Sequence, residues 1–360
     1  MRFTALLRVW PIVTALLFLA SSAAQTQFST EDAYNPIPSP DGRKIVAVRT
    51  GWHRPGGSGG LGRSNLRSDL IILNRTGHLL SPKPIADSFA ADWTADGIVA
   101  FRDWSYRLIS EDGSIRQQGR VCPQELVLIT NSGCVERVAY LSAGKTFVWV
   151  RQKFGDSVLV TPGGELSAHH HKKYLGEWIV ASPDERYIAV GPGHLGRTLD
   201  VYDLREKTWI EFGSVVIHPA VGWDWMEPSW SPWFADSSQL AVFTSEGLII
   251  SSPDGQRKRT VLHTQEPAGL AVPSPDGHAI AYATFASRPR SNGAGSTPVW
   301  NCTGLWVVDL QKPTPPRRLT ASTPSLTYDL RWLDNQSLVF DRVEEGFPPK
   351  AQLWKVALDR

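Results

Sequence analysis

The sequence predicts an all-β fold: a β-propeller of four-stranded antiparallel blades, seven by count with six as the competing number, closed by pairing of the two chain ends. Three observations carry this. A hairpin phrase recurs, it recurs at a near-regular spacing, and no long helical periodicity stands out after the first thirty residues. The phrase is cleanest at Ile37-Pro38-Ser39-Pro40-Asp41-Gly42-Arg43-Lys44-Ile45-Val46 and returns at Val272-Pro273-Ser274-Pro275-Asp276-Gly277-His278-Ala279-Ile280-Ala281. Each copy reads as strand, tight turn, strand. Proline at the second turn position holds φ at about −65°, Asp bonds locally to backbone, and Gly tolerates the exit geometry. The Val, Ile, Ala and Tyr that follow suit a half-buried strand.

Met1 to Ala24 reads as an export signal, with Arg2 and Arg8 as the positive start, Ile12 to Ala20 as the apolar run and Ser22-Ala23-Ala24 as the cleavage site. The apolar run falls short of the ~20 residues that span a bilayer. Residues 25–360 are therefore expected to form one domain, periplasmic or secreted, with no transmembrane segment. Unit one runs from Ile37 through Val48, crosses a Gly-rich loop and resumes at Asp69 to Leu73. Unit two is degenerate, with Ala91 to Phe101 and Tyr106 to Ile109. Unit three takes Val138 to Leu141, Phe147 to Val150 and Ser157 to Val160. Unit four holds Val180 to Val190 and Leu199 to Leu204. Unit five holds Pro228 to Pro232, Gln239 to Phe243 and Gly247 to Ile250. Unit six is the second clean copy followed by Gly304 to Leu310, and unit seven has Leu330 to Asn335, Ser337 to Phe340 and Gln352 to Val356. The spacing, about 40 to 56 residues, is the period of propeller blades. Unit seven lacks an outer strand, which Gln25 to Tyr34 is placed to supply, and closure removes exposed sheet edges.

Ser39-Pro40-Asp41-Gly42-Arg43-Lys44-Ile45-Val46, Ser274-Pro275-Asp276-Gly277 and Leu305-Trp306-Val307-Val308-Asp309-Leu310 resemble the repeats of TolB-like, WD40-like propellers. The resemblance covers most of the mature chain. It implies an extracytoplasmic protein-binding scaffold, or the non-catalytic propeller of a peptidase. The chain lacks the α/β domain that precedes the propeller in TolB itself, so no role in that system is implied.

Lys plus Arg number 37 and Asp plus Glu 35; without Arg2 and Arg8 the balance is 35 to 35. A near-neutral chain has no basic stripe to neutralise phosphates, so no nucleic-acid partner is expected. Of three cysteines, Cys122 and Cys134 are spaced to close a small loop after export, with two half-buried thiols as the alternative, and Cys302 is left over.

Gly56-Gly57-Ser58-Gly59-Gly60 matches a nucleophile pattern on paper but lacks the strand-to-helix context that the chemistry needs. Ser142-Ala143-Gly144-Lys145 matches another and reads as a hairpin turn. His169-His170-His171 would alternate sides in an extended chain and so do not converge on an ion. Distant His53, His194 and His218 could meet only in the bore. No catalytic residue, metal or cofactor is predicted. The most unusual stretch is Gly222 to Trp233, with four Trp and two carboxylates. There Trp223, Asp224 and Trp225 are the candidate ligand-binding residues, suited to a sugar ring, an aromatic side chain or a cationic peptide. Trp230 reads as packing between blades. The loops Gly51 to Leu66 and Ser287 to Val299 are Gly-, Ser- and Arg-rich, and Asn74-Arg75-Thr76 and Asn301-Cys302-Thr303 fit the glycosylation sequon. The function expected is a monomeric, exported, non-enzymatic scaffold for an unidentified protein or saccharide. The alternative is a propeller hydrolase or lyase acting on saccharide at the channel mouth.

Overall fold

The computed structural model describes residues 25–52, 66–80, 85, 89–102, 105–120, 138–153, 156–169, 175–192, 198–215, 231–264, 266–288, 299–320, 329–344 and 350–358. These residues form strands and turns, with no helix among them. Unit one is built from β1 (Gln25–Pro38), β2 (Lys44–Trp52) and β3 (Leu66–Asn74). Unit two follows with β4 (Phe89–Thr94), β5 (Gly97–Arg102), β6 (Ser105–Ile109) and β7 (Ile115–Arg120). Unit three has β8 (Val138–Leu141), β9 (Thr146–Lys153), β10 (Asp156–Thr161) and β11 (Gly164–His169). Unit four has β12 (Leu175–Ala181), β13 (Tyr187–Pro192), β14 (Thr198–Asp203) and β15 (Thr208–Ser214). Unit five contributes β16 (Leu240–Thr244), β17 (Gly247–Ser251) and β18 (Lys258–Leu262), with Trp233 bridged to Leu240 in place of a full first strand. Unit six has β19 (Ala268–Pro273), β20 (Ala279–Arg288), β21 (Val299–Asp309) and β22 (Arg317–Arg318), and unit seven β23 (Leu330–Asp334), β24 (Ser337–Glu344) and β25 (Lys350–Ala357).

The fold is a propeller of antiparallel blades, but its strands form six sheets where seven separate ones were expected. The difference comes from β1. Its first part pairs with β25, from Gln25 opposite Val356 to Asp32 opposite Gln352, supplying the outer strand that unit seven lacks. Its second part pairs with β2, from Ala33 opposite Arg49 to Pro38 opposite Ile45. One uninterrupted strand thus joins the last unit to the first in a single sheet ordered β23-β24-β25-β1-β2-β3.

Burial sorts inner strands from outer ones. Every residue of β8 and β19 is buried, whereas β7 is exposed along nearly its whole length. The inner strands touch in sequence, β1 with β4, β4 with β8, β8 with β12, and later β16 with β19, β19 with β23 and β23 with β1, so the units circle a central bore. Apolar side chains fill the wedge between each pair of units. Val46, Leu70, Trp93 and Ile98 pack between units one and two, and Ala33, Ile45, Val339 and Leu353 between seven and one. Each buried Val, Leu or Ile among them contributes about 1.5–3 kcal/mol by leaving water.

Within a unit the first strand runs away from the face where the chain arrives from the previous unit and ends in the recurring turn on the other face. There Ser39 Oγ donates to Asp41 Oδ1 at 2.6 Å and accepts from Lys44 N at 3.0 Å, while Gly42 N donates to Ser39 O at 2.8 Å. Ser182 with Asp184 and Tyr187, and Ser274 with Asp276 and Ala279, repeat this arrangement. The charged hydrogen bond from Ser39 holds Asp41 below the ordinary carboxylate range, and Ser110 with its turn brings Asp112 down to about 2. Gly77, at φ +85°, closes the turn after β3 so tightly that a Cβ there would lie 1.6 Å from the carbonyl oxygen of Phe28 in β1.

On this turn face, neighbouring units are latched by polar contacts. Lys44 pairs with Glu111 between units one and two, and Tyr140 donates to Asp96 at 3.1 Å between two and three. Between three and four, Ser142 N and Ala143 N donate to the Glu185 carboxylate at 2.6 and 2.8 Å. Asp184 N donates to Ser237 Oγ between four and five, Asp276 N to Asn335 Oδ1 between six and seven, and Arg75 pairs with Asp334 between seven and one.

Candidate functional site

The opposite face, where connections between units arrive, carries a charged cluster around the seam made by β1. Asp329, just before β23, is buried, and its carboxylate stands 3.6 Å from Arg331 Nε. Asp341, fully buried in β24, accepts from Asp329 N at 3.0 Å through Oδ1 and from Asn35 N at 3.2 Å through Oδ2. The seam requires this. The register of β1 shifts between Tyr34 and Ile37, Asn35 takes a left-handed φ of 54°, and a backbone N–H freed from the ladder needs an acceptor. A buried carboxylate that accepts two backbone N–H groups meets that need.

Arg331 reaches beyond its own unit. Asp92 of β4 and Arg331 of β23 hold the same place in their repeats, each directly before the inner-strand tryptophan, Trp93 or Trp332. The two strands both contact β1, which lies between them. Burial raises the Asp92 pKa above its ordinary value, and the charge of Arg331 and the Trp93 N–H pull the other way. Asp92 keeps partial solvent contact although protein surrounds it, as a group facing a narrow bore would. Arg331, its side chain 12 % exposed, thus pairs with Asp329 of its own unit and acts through its charge on Asp92 of unit two. Such a set can hold a polar or charged group entering the bore. Asp92, whose ionised form is disfavoured, can also take up or give a proton.

Beside it, Arg342 of β24 stacks over Trp354 at 4.4 Å and Phe340 at 5.3 Å and donates to the Gln25 side chain. Burial lowers its pKa. This contact ties the start of β1 to β24.

Of the residues singled out from sequence, Trp223, Asp224 and Trp225 lie outside the described residues, in the connection between β15 and Trp233. So do Met1 to Ala24, Ser58, Cys122, Cys134, Trp230, His53, His170, His171, His194 and His218. His169 ends β11, Ser142 to Lys145 form the β8–β9 turn, and Cys302 is a buried thiol in β21. Asn74 uses its side-chain oxygen within its own turn, accepting from Thr76 and His78. Sequence reasoning assigned no role to Asp92 and Arg331. Their signal was a charged residue in the slot before an inner-strand tryptophan. Among the described residues no group of three or more His, Cys, Asp or Glu could hold a metal ion, and no helix is long and apolar enough to cross a membrane.

Neither a family model nor a curated protein matches the sequence. Among solved structures the chain is similar to an oligogalacturonate lyase in complex with manganese, at a TM-score of 0.57 and 11% sequence identity over 95% of both chains. At that identity the likeness speaks for architecture alone, and it agrees with the strand order: the chain is a β-propeller.

Proposed function

We propose that this protein is exported and acts as a non-catalytic propeller scaffold, binding a protein or saccharide at the bore mouth on the face where the inter-unit connections arrive. The observation that carries this is the pairing of Arg331 with Asp329, together with the charge it exerts on Asp92 of another unit. In a closed ring with a tightly packed core, it offers donors and acceptors from separate units to one guest. Trp223, Asp224 and Trp225, between β15 and Trp233 in the sequence, would add two aromatic rings and a carboxylate to such a site. Dividing the shared sheet between Asp32 and Ala33, where pairing passes from β25 to β2, favours a count of seven blades.

The test is a binding screen of residues 25–360 against glycans and envelope extracts, repeated with Asp92→Asn and with Trp223→Ala plus Trp225→Ala. Loss of binding at an unchanged melting temperature supports the site; equal binding by all variants removes it.

A second reading, a lyase or hydrolase acting on saccharide, draws on the raised pKa of Asp92 and on the name of the similar structure. Incubation with oligogalacturonate, with and without manganese, followed by ultraviolet detection of unsaturated product, would establish turnover and end the non-catalytic reading.

A further inference from the structure

The turn face has one interface that differs from the rest. Six neighbouring pairs of units are joined there by a hydrogen bond or ion pair, whereas between units five and six the described residues provide apolar contact alone, the Phe234 ring of the unit-five turn lying against the Gly277 turn of unit six. Above that contact lies a cleft of about 390 Å³, within the range of small-molecule sites. The β16-side turn (Asp236, Ser238, Gln239), the Pro275–Gly277 turn, Gln311 and the Arg259 side chain from β18 line it.

Three of these side chains are available to a guest: among the described residues Arg259 has no ion pair, and the side-chain amides of Gln239 and Gln311 have no hydrogen bond. Asp236 is engaged only by Ser238 of its own turn. The polar groups that elsewhere close the gap between units are therefore present here but held apart. A ligand that supplies both donors and acceptors would bridge them. Phe234, Ala235, Pro275 and Leu310 give the cleft an apolar part nearly as large as its polar part, which suits the ring carbons of a sugar while the polar side chains meet its hydroxyls. Amides, a hydroxyl, carboxylates and a guanidinium around a shallow floor match vicinal hydroxyls on a ring.

We propose that this cleft binds a pyranose unit of a glycan, with Gln239, Gln311 and Asp236 holding its hydroxyls and Arg259 facing any carboxylate the sugar carries. The site is on the opposite face from the bore mouth and does not depend on the reading given for that mouth.

Calorimetric titration of residues 25–360 with a neutral cello-oligosaccharide and with an oligogalacturonate separates the two sources of such a ring. Gln239→Ala should weaken whichever glycan binds by about tenfold, the cost of about 1.4 kcal/mol. Arg259→Ala should do the same for the acidic glycan and leave the neutral one nearly unchanged. Both residues lie at the surface, so melting temperatures should hold. Absence of binding by either glycan, binding that both variants retain, or displacement of the glycan by an unrelated peptide would overturn the proposal. Loss of glycan binding in Asp92→Asn, with Gln239→Ala binding as before, would place the guest in the bore mouth and overturn this proposal.

Discussion

Trp332 donates its indole Nε1 to the carbonyl oxygen of Val272 at 2.8 Å, joining the inner strand of unit seven to that of unit six. Trp233 repeats the contact with Val180 O at 3.4 Å between units five and four. Both tryptophans are buried, so each covers the wedge between units and adds a donor to a carbonyl of the neighbouring inner strand. Trp332→Phe keeps most of the apolar surface and removes that hydrogen bond between units. A loss of about 0.5–1.5 kcal/mol is expected. Urea unfolding would measure it, and an unchanged midpoint would show the bond to be dispensable.

Gly77→Ala should be among the most damaging single changes in the ring. The residue sits at φ +85°, and the added methyl would collide with Phe28 O in the strand that closes the propeller. Alanine held in the left-handed region would cost about 1–2 kcal/mol from backbone alone; here the seam must also shift. Circular dichroism and gel filtration should show a marked fall in melting temperature with aggregation.

Ser274 is buried, donates to Asp276 and accepts from Ala279 N. Ser274→Ala removes both bonds and leaves the Ala279 N–H without its side-chain partner, for an expected loss of about 1–3 kcal/mol. Ser39→Ala and Ser182→Ala should fall in the same range, since the geometry repeats. A large spread among the three would show that the turns are not equivalent.

The pH response of Asp92 has a definite sign. Its folded pKa is raised above 3.8, so its contribution is fully present below the unfolded value and is lost as pH rises through the folded one. Asp92→Asn does not titrate there. Relative to the native chain, the variant should therefore gain stability as pH climbs out of the acid range. Asp41 and Asp112 act in the opposite sense: their depressed values support the fold above the ordinary carboxylate range, and that support fades as pH falls toward the folded values. Melting curves across a pH series for native and Asp92→Asn chains would check both. Parallel curves would rule out the assigned role of Asp92.

The architecture was legible because each turn repeats its own chemistry: Ser, Asp and Gly at fixed offsets in units one and six report the same hydrogen bonds. The contribution of Gln25 to Tyr34 to unit seven was legible from a missing strand. That one strand would serve two units was not, since the shift between Tyr34 and Ile37 that lets β1 change partners leaves no residue signature beyond Asn35. The cluster at the bore was hidden for another reason. Asp92 comes under the charge of Arg331 only through ring closure, and the two are far apart in the chain. A sequence window sees each of them as an isolated charge in an apolar strand.

The strand shared by first and last units also sets an order of events. The bond from Ala351 N to Asp32 Oδ1 spans 319 residues, so β1 cannot find its outer partner until nearly the whole polypeptide has left the ribosome. Such distant pairing is slow, because a very large loop must close before any gain is realised. Intermediate units can stack on one another as they emerge, while β25 and the head of the chain wait as unprotected edges. The newborn protein is therefore most exposed to clumping at the end of its synthesis, and zipping of this last joint converts a string of hairpins into a durable wheel.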